Sequence, residues 1–220
     1  MTIREAIDAR HSVRAYTPQP IEGEMLALLE REIAACNEQS GLRICLRLNE
    51  PQTITGLWAT YGAFQNAVNY IALIGPDMDD LYRLVGYWGE RLVLFAETLG
   101  LNTCWIAGSY KKKQARPLAK EGEKLAAIIS IGYGAKPGKP HRSKSFAQVT
   151  EIEGEAPDWF RKGVEAALLA PTAINQQQFR FRYQNGRAYL RALRGPYARI
   201  DLGIVQVHFE IGAGMPVTVE

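Results

Sequence analysis

Between residues 81 and 99, Leu81, Leu84, Val85, Trp88, Leu92, Phe95, Ala96 and Leu99 recur at spacings of three and four. That period puts them along one side of an α-helix, and such a stripe stays out of water only if another apolar layer covers it. Gly100 stands where a C-terminal cap belongs. The covering layers have candidates on either side. Residues 68–74 are nearly all apolar and short, as in a strand buried on both faces, and residues 126–133 form a second apolar strand. Between helix and second strand, Thr103-Cys104-Trp105-Ile106-Ala107-Gly108 reads as a loop.

The remaining chain supplies more helices and strands. Thr2 and Glu5 have capping-box spacing ahead of Ile3, Ala6 and Ile7, predicting a short first helix that stops near Ala9. A polar segment, residues 10–14, leads to Pro18 and Pro20, which break the chain before a helix over residues 22–36 with Met25, Leu29 and Ile33 inward. Residues 43–48 alternate like a half-buried strand. Residues 134–145, rich in Gly, Pro and basic side chains, read as a loop or extended arm. Asp158 is placed to cap a helix carrying Trp159, Phe160, Val164, Ala167 and Leu168 and ended by Pro171. Phe179, Phe181 and Tyr183 alternate with Arg180, Arg182 and Gln184, and Asn185-Gly186 offers a type I′ turn into residues 187–190. A last helix near residues 201–212 is apolar on more than one side, as a buried helix is. Helix, polar loop and alternating strand thus occur twice, and residues 203–214 echo 89–100. The chain reads as one domain, residues 1–220, with a degenerate, truncated internal repeat (1–150 and 155–220) or two coincidentally similar units.

Composition narrows the partners. With 220 residues and 47% hydrophobic side chains the chain can bury a full core. A net charge of +3 is too small to argue for nucleic acid, and Lys111-Lys112-Lys113 suits a solvated loop face as well as a phosphate track. No stretch approaches the ~20 apolar residues of a membrane span, and residues 1–5 lack the apolar region of a secretion signal. Cys36, Cys45 and Cys104 form no C-x-x-C pair, which fits reduced thiols in a cytoplasmic protein. His11, His141 and His208 have no metal-ligand spacing, so no metal site is expected.

Four stretches carry possible chemistry. Arg10-His11-Ser12-x-Arg14 would present residues 10, 12 and 14 together if extended. Two guanidinium forks and a hydroxyl suit a dianionic phosphate, though a polar linker has similar content. Arg142-Ser143-Lys144 is a second basic cluster, again either anion-binding or solvated. In Ala170-Pro171-Thr172-Ala173-Ile174-Asn175-Gln176-Gln177-Gln178-Phe179, four carboxamides crowd the step from helix to strand. Each supplies donors and acceptors, as needed to read the edge of a flat heterocycle, or simply to keep a loop soluble. Gly108 permits close backbone approach beside Trp105, whose alternative role is packing. Neither a Walker loop nor G-x-G-x-x-G after a strand is present, so a Rossmann nucleotide site is not supported.

In combination these stretches resemble one family. A short helix, then Arg10-His11-Ser12-x-Arg14-Ala15-Tyr16, then Pro18-x-Pro20-Ile21, closely resembles the opening of the nitroreductase family of FMN-dependent enzymes. The long helix running into residues 99–108 is similar to that family's central helix and flavin-side loop. Ile131-Gly132-Tyr133-Gly134 followed by Arg142-Ser143-Lys144 is similar to its last strand and basic phosphate-binding tail. Ala170-Pro171-Thr172-x-x-Asn175-x-Gln177 matches its helix-ending motif, with Gln178 where proline is usual. In ordinary members that motif follows soon after the Arg-x-Ser-x-Arg segment. Here that position holds residues 35–40 and the good copy lies near the C-terminus, as in a compact, rearranged, thermophile-type subgroup.

The resemblance implies an α+β fold with a central, mostly antiparallel sheet flanked by helices. It implies one FMN as cofactor, which carries the redox chemistry so that no protein side chain is a catalytic nucleophile or acid. NADH or NADPH is the implied co-substrate, giving hydride to the flavin in a ping-pong cycle that ends on a small oxidised acceptor, nitroaromatic or quinone-like. Arg10, Ser12 and Arg14, with His11 beside them and Arg142 and Lys144 assisting, are implied at the phosphate. Asn175 and Gln177 are implied at the ring edge, with Pro171, Thr172 and Ala173 against the ring or ribityl chain. Backbone N–H groups near Ala107 and Gly108 are implied at flavin N5, with Trp105 and Ile106 at the pocket. Ordinary members are homodimers with flavins at the subunit interface, so a chain with a second partial copy is either a monomeric pseudo-dimer or a homodimer. Rival readings are another FMN-dependent reaction on the same fold (reductive dehalogenation, enoyl reduction or flavin breakdown), an FMN-binding or sensing module without turnover, and a chain that has lost the cofactor.

Overall fold

The computed structural model of the chain describes residues 1–54, 64–108, 110–111, 115 and 118–220. Lys112 and Lys113 of the basic run lie outside these, while Lys111 is exposed. In chain order the helices are α1 (Ile3–Ala9), α2 (Gly23–Ser40), α3 (Leu81–Thr98), α4 (Phe146–Val149), α5 (Asp158–Ala167) and α6 (Ala198–Ala213). The strands are β1 (Cys45–Arg47), β2 (Tyr70–Pro76), β3 (Asn102–Ile106), β4 (Glu123–Gly132), β5 (Thr150–Ile152), β6 (Phe179–Gln184), β7 (Arg187–Ala192) and β8 (Thr218–Val219). They form two compact units, one of residues 10–81 and 92–139, the other of residues 1–9, 82–91 and 140–220.

The unit containing residues 10–81 is built on an antiparallel sheet in the order β1-β2-β4-β3. β2 is buried from Tyr70 to Gly75, as its continuous apolar run demands of a central strand. β3 corrects the expectation of a loop at residues 103–108. Residues 102–106 pair with residues 128–132 of β4, and Thr103, Cys104 and Ile106 are buried by that pairing. α2 runs one turn beyond the expected Cys36. Its end is tied down because the Asn37 amide donates to the Ile44 carbonyl (2.8 Å) and accepts from the Ile44 N–H (2.7 Å). β1 is shorter than the six-residue alternation suggested.

In the other unit, α1 has the expected capping box: the Glu5 N–H donates to Thr2 Oγ1 (3.2 Å) and the Thr2 N–H to Glu5 Oε2 (2.8 Å). The sheet order is β5-β6-β7-β8, with an antiparallel centre and parallel outer pairs. Asn185 and Gly186, at φ of 52° and 75°, make the tight connection that a two-residue hairpin with both centres left-handed requires. Phe179 and Phe181 point into an aromatic core, where Phe181 stacks on Phe209 at 4.7 Å and Phe160 meets Phe209 edge-on at 5.9 Å. Asp158 is the first residue of α5 rather than its cap, which is Pro157. The helix stops at Ala167, ahead of the expected Pro171, and the carbonyl of Leu168 accepts from Ser143 Oγ (2.8 Å) with His141 Nε2 also within 3.0 Å.

The first half of α3 crosses α6 in this unit with almost no space between backbones. A Cβ added at Gly86 would lie 2.1 Å from the Ile200 carbonyl oxygen, and one added at Gly203 would lie 2.0 Å from that of Arg83. Each glycine faces the residue three positions before the other, the reciprocity of a two-fold contact. Beside the crossing, Arg83 donates to Gln206 (2.9 Å) and the Tyr87 hydroxyl to Glu210 (3.0 Å). Glu90 and His208, both fully buried, join the same helices through Oε1 and Nε2 at 2.8 Å, and His208 Nδ1 lies 3.1 Å from the Ala166 carbonyl. A carbonyl only accepts, so Nδ1 carries hydrogen, and the Nε2–Oε1 contact holds one further proton on one partner or the other.

Candidate functional site

Residues 10–16 are extended, as the grouping of residues 10, 12 and 14 requires. The Val13 N–H donates to the Thr103 carbonyl (3.0 Å), the Tyr16 N–H to Gln65 (3.0 Å) and the Ala135 N–H to Ala15 (2.9 Å). The Tyr16 hydroxyl, wedged in the core, contacts Ser130 Oγ at 2.7 Å and donates to the Val13 carbonyl (2.8 Å), and burial pushes its pKa up. One face of the segment is thereby fastened to the unit's core.

The other polar side chains gather at β3. Burial raises the pKa of the Cys104 thiol, and it is opposed by the charge of Arg14, a hydrogen bond from Ser12 and the charge of Arg10. Of the three residues proposed from sequence to share one anion, Ser12 bonds the thiol and the charges of Arg14 and Arg10 both reach it. Arg10 is only 4% exposed, and its charge also opposes the burial that raises the Glu97 carboxyl. His11 is covered by the basic arm, since a Cβ at Gly138 would fall 2.3 Å from His11 Cβ. Trp105 is half-buried and Ile106 buried on β3, and Ala107 and Gly108 follow the strand's end with Gly108 exposed.

In the other unit, the structure joins two stretches that sequence separates by 33 residues. The Asn175 amide donates to the Arg142 carbonyl (2.8 Å), the Lys144 N–H to Gln177 Oε1 (2.7 Å) and Lys144 Nζ to the Gln177 carbonyl (2.8 Å). Gln177 Nε2 donates to Asn175 Oδ1 (3.2 Å) and to the Arg142 carbonyl (3.4 Å). With its carboxamide donors spent and 1% exposure, Gln177 braces the loop from within. Asn175 is exposed and retains one N–H and one lone pair beyond these bonds. The Arg142 side chain is exposed, its carbonyl rather than its guanidinium serving the loop. Pro171, Thr172 and Ala173 are half-buried, and Thr172 Oγ1 accepts from the Gln177 N–H (3.0 Å).

Asp201 went unnoticed in the sequence. It is 2% exposed on α6, and its Oδ1 accepts from the Ala173 N–H (2.9 Å) while Oδ2 accepts from Gln176 Nε2 (3.0 Å). Burial pushes its pKa up to about 6 against those two bonds. A single acid near the start of a helix otherwise apolar on several sides was the available signal, because a buried carboxylate must find donors.

The family model described as "Putative TM nitroreductase" matches residues 2–213. The chain belongs to this family. A Thermotoga maritima structure described as a "putative nitroreductase" superposes with a TM-score of 0.70 at 24% identity, covering 96% of this chain and 83% of that one. An FMN-dependent nitroreductase from Clostridium difficile R20291 gives 0.51 at 18% identity over 62% of this chain and 90% of that one. A nitroreductase-family fold from Desulfovibrio desulfuricans, solved in complex with FMN, gives 0.53 at 20% identity over 71% and 99%. No curated protein matches the chain. This nitroreductase-family chain has the expected α+β architecture with an antiparallel sheet and flanking helices. Among the described residues no helix is long and apolar enough to cross a membrane, and no cluster of His, Cys, Asp or Glu could hold a metal.

Proposed function

We propose that the chain is an FMN-dependent oxidoreductase that takes hydride from NADH or NADPH and reduces a small nitroaromatic or quinone-like acceptor. The observation that carries this reading is that Ser12 bonds the Cys104 thiol while the charges of Arg14 and Arg10 both act on it, two cations and a hydroxyl on one extended segment fastened to β3. That donor set fits a phosphate monoester, and Arg10 is already desolvated, so little ordering remains to be done on binding. The exposed Asn175, with a donor and an acceptor left over, fits the edge of a heterocycle presenting both. Each group is assigned by its own chemistry. FMN, when bound, supplies the hydride and electron transfer of a ping-pong cycle.

The residues do the rest. Arg10, Ser12 and Arg14 would neutralise the anionic end, with His11, the exposed charge of Arg142 and the half-buried charge of Lys144 assisting. Asn175 orients the ring, and Gln177 keeps Asn175 in place. Pro171, Thr172 and Ala173 supply contact surface. The N–H groups of Ala107 and Gly108, just past the end of β3, would donate to flavin N5, with Trp105 and Ile106 contributing apolar contact. We place the enzyme in the cytoplasm, with none of its three cysteines in a disulfide. We propose one FMN per chain in a monomeric pseudo-dimer, with a homodimer as the alternative, and neither nucleic acid nor membrane as partner. The reciprocal crossing at Gly86 and Gly203 supports the pseudo-dimer. Light scattering with flavin quantitation tests it.

The decisive experiment is FMN titration of the wild type and Arg10→Ala. Loss of a charge-assisted contact worth ~1.5–3 kcal/mol weakens affinity on the order of tenfold to a hundredfold. An affinity that hardly moves refutes the phosphate assignment. Stopped-flow reduction by NADH and NADPH then separates an enzyme from an FMN-binding module, which reduces very slowly when fully loaded.

A further inference from the structure

We propose that the Asp201 carboxylate is the anchor that holds the loop 172–177 in the conformation presenting Asn175, and thereby governs how tightly the chain holds FMN. The second half of the statement rests on the flavin reading above.

The loop is not one a free chain would adopt. Ile174, Asn175 and Gln177 have φ of 48°, 53° and 47°, all in the left-handed region that side-chain-bearing residues avoid. Three such residues within four positions persist only if fixed from outside. Two sets of bonds do this. Thr172 Oγ1, Arg142 and Lys144 hold the end at Gln177. Asp201 holds the beginning, taking the Ala173 N–H on one oxygen and Gln176 Nε2 on the other. Gln176 Nε2 also donates to the Pro196 carbonyl (2.6 Å), so its amide orientation is determined.

Both carboxylate oxygens face donors, so the ionised form, which accepts on both and donates on neither, is the one that suits the arrangement. A proton on Oδ2, or an amide in its place, sets a donor against Gln176 Nε2, and the glutamine can turn to accept only by abandoning Pro196. The carboxyl faces the loop and, through Gln176, the turn at residues 195–197. Of the nearby titratable side chains, Arg194, Tyr197 and Arg199 are exposed, and no charged group is among the influences that shift Asp201. Burial outweighs the two hydrogen bonds and brings the titration to about pH 6, so the anchor is intact above that value and loosens as pH falls through it.

The test compares the full-length wild type with Asp201→Asn and Gln176→Ala in two measurements. FMN affinity is measured between about pH 5 and pH 8, and amide hydrogen exchange across residues 172–177 is measured in the flavin-free chain. The wild type should bind FMN about tenfold more tightly than Asp201→Asn near pH 8, the loss of one charge-assisted bond, and the ratio should fall towards one near pH 5. Exchange at residues 172–177 should be faster in both variants. A ratio of one throughout, or a ratio that does not change with pH, overturns the control of FMN binding, and unchanged exchange overturns the anchor itself. A wild type that takes up no FMN refutes the flavin reading and leaves exchange alone to decide the anchor. If Asp201→Asn does not fold, Gln176→Ala, which leaves α6 untouched, decides by exchange.

Discussion

Substituting Gly86 by alanine measures how firmly the crossing of α3 and α6 is set. The new methyl carbon would lie 2.1 Å from the Ile200 carbonyl oxygen, 3.0 Å from its carbon and 3.1 Å from the Ile204 nitrogen. All three obstacles are helix backbone, so no side chain can swing aside. To bring the closest contact to 3.0 Å the helices must separate locally by 0.9 Å, the difference from 2.1 Å. A gap of ~0.5–1 Å forfeits a quarter to a half of each dispersion contact it opens. Overpacking of this kind costs ~1–3 kcal/mol, more where backbone must move, and alanine returns ~1 kcal/mol through its better helix propensity. The expected net loss is therefore about 2 kcal/mol, or a Tm lower by ~4–8 °C in a chain of this size. Thermal unfolding by circular dichroism reads it. Gly203→Ala, 2.0 Å from the Arg83 oxygen, should cost as much. The double variant should cost less than the sum, because one separation relieves both clashes. A Gly86→Ala chain as stable as the wild type, or strictly additive losses, would refute the reciprocal contact.

Other perturbations probe the buried charges and the surface. Glu90→Gln can still give Nε2 of His208 a hydrogen-bond partner, so it should cost within ~1.5 kcal/mol, while Glu90→Ala should cost ~3–5 kcal/mol in urea unfolding; equal losses would show that the buried hydrogen bond to His208 is not what the position contributes. The folded-state pKa of Asp201, about 6 against an unfolded 3.8, means the native state binds the proton more tightly. Protonation of Asp201 therefore favours the folded over the unfolded state by ~3 kcal/mol, an effect fully present below 3.8 and lost as pH rises through 6. This global effect is distinct from the loop anchor, whose loosening is a change within the folded state, and Asp201→Asn should flatten stability across that window. Glu123 behaves oppositely, since the hydrogen bond from Arg43 holds its pKa down to about 2. Its contribution is present above 4.5 and lost as pH falls through 2, so Arg43→Gln should move acid unfolding to higher pH, and an unmoved midpoint would remove the pair from the acid limb.

The elements that sequence revealed are those whose signal is local. The stripe from Leu81 to Leu99 extends for five turns, Thr2 and Glu5 bond each other, and Asn185-Gly186 is self-sufficient as a turn. β3 was missed for the contrary reason. Residues 102–106 alternate poorly, and what makes them a strand is the free edge of β4 beside them, a fact about residues 128–132. β5 and β8, three and two residues long, are too short for any period to register. Even α3 is more deeply covered than its stripe implied, because Val93 and Leu94, off the stripe, are also buried and Gly86 admits a second helix backbone.

At the candidate site, residue types were legible and side-chain directions were not. Asn175 and Gln177 have the same functional group and lie two positions apart, which in an extended strand would aim them alike. Left-handed φ at both positions separates them instead, leaving Asn175 exposed and Gln177 1% exposed with its donors consumed. No propensity scale encodes that division, because left-handed conformations in consecutive non-glycine residues exist only by external constraint. The constraint comes from Lys144 on one side and Asp201 on the other, 33 and 28 residues from the groups they hold. Without Asp201 the carboxamide loop is a polar turn among many, and with it the loop becomes a fixed surface. A buried acid in an apolar helix was therefore as informative about the site as the amide-rich stretch itself, since the cost of burying it obliges some other segment to supply donors.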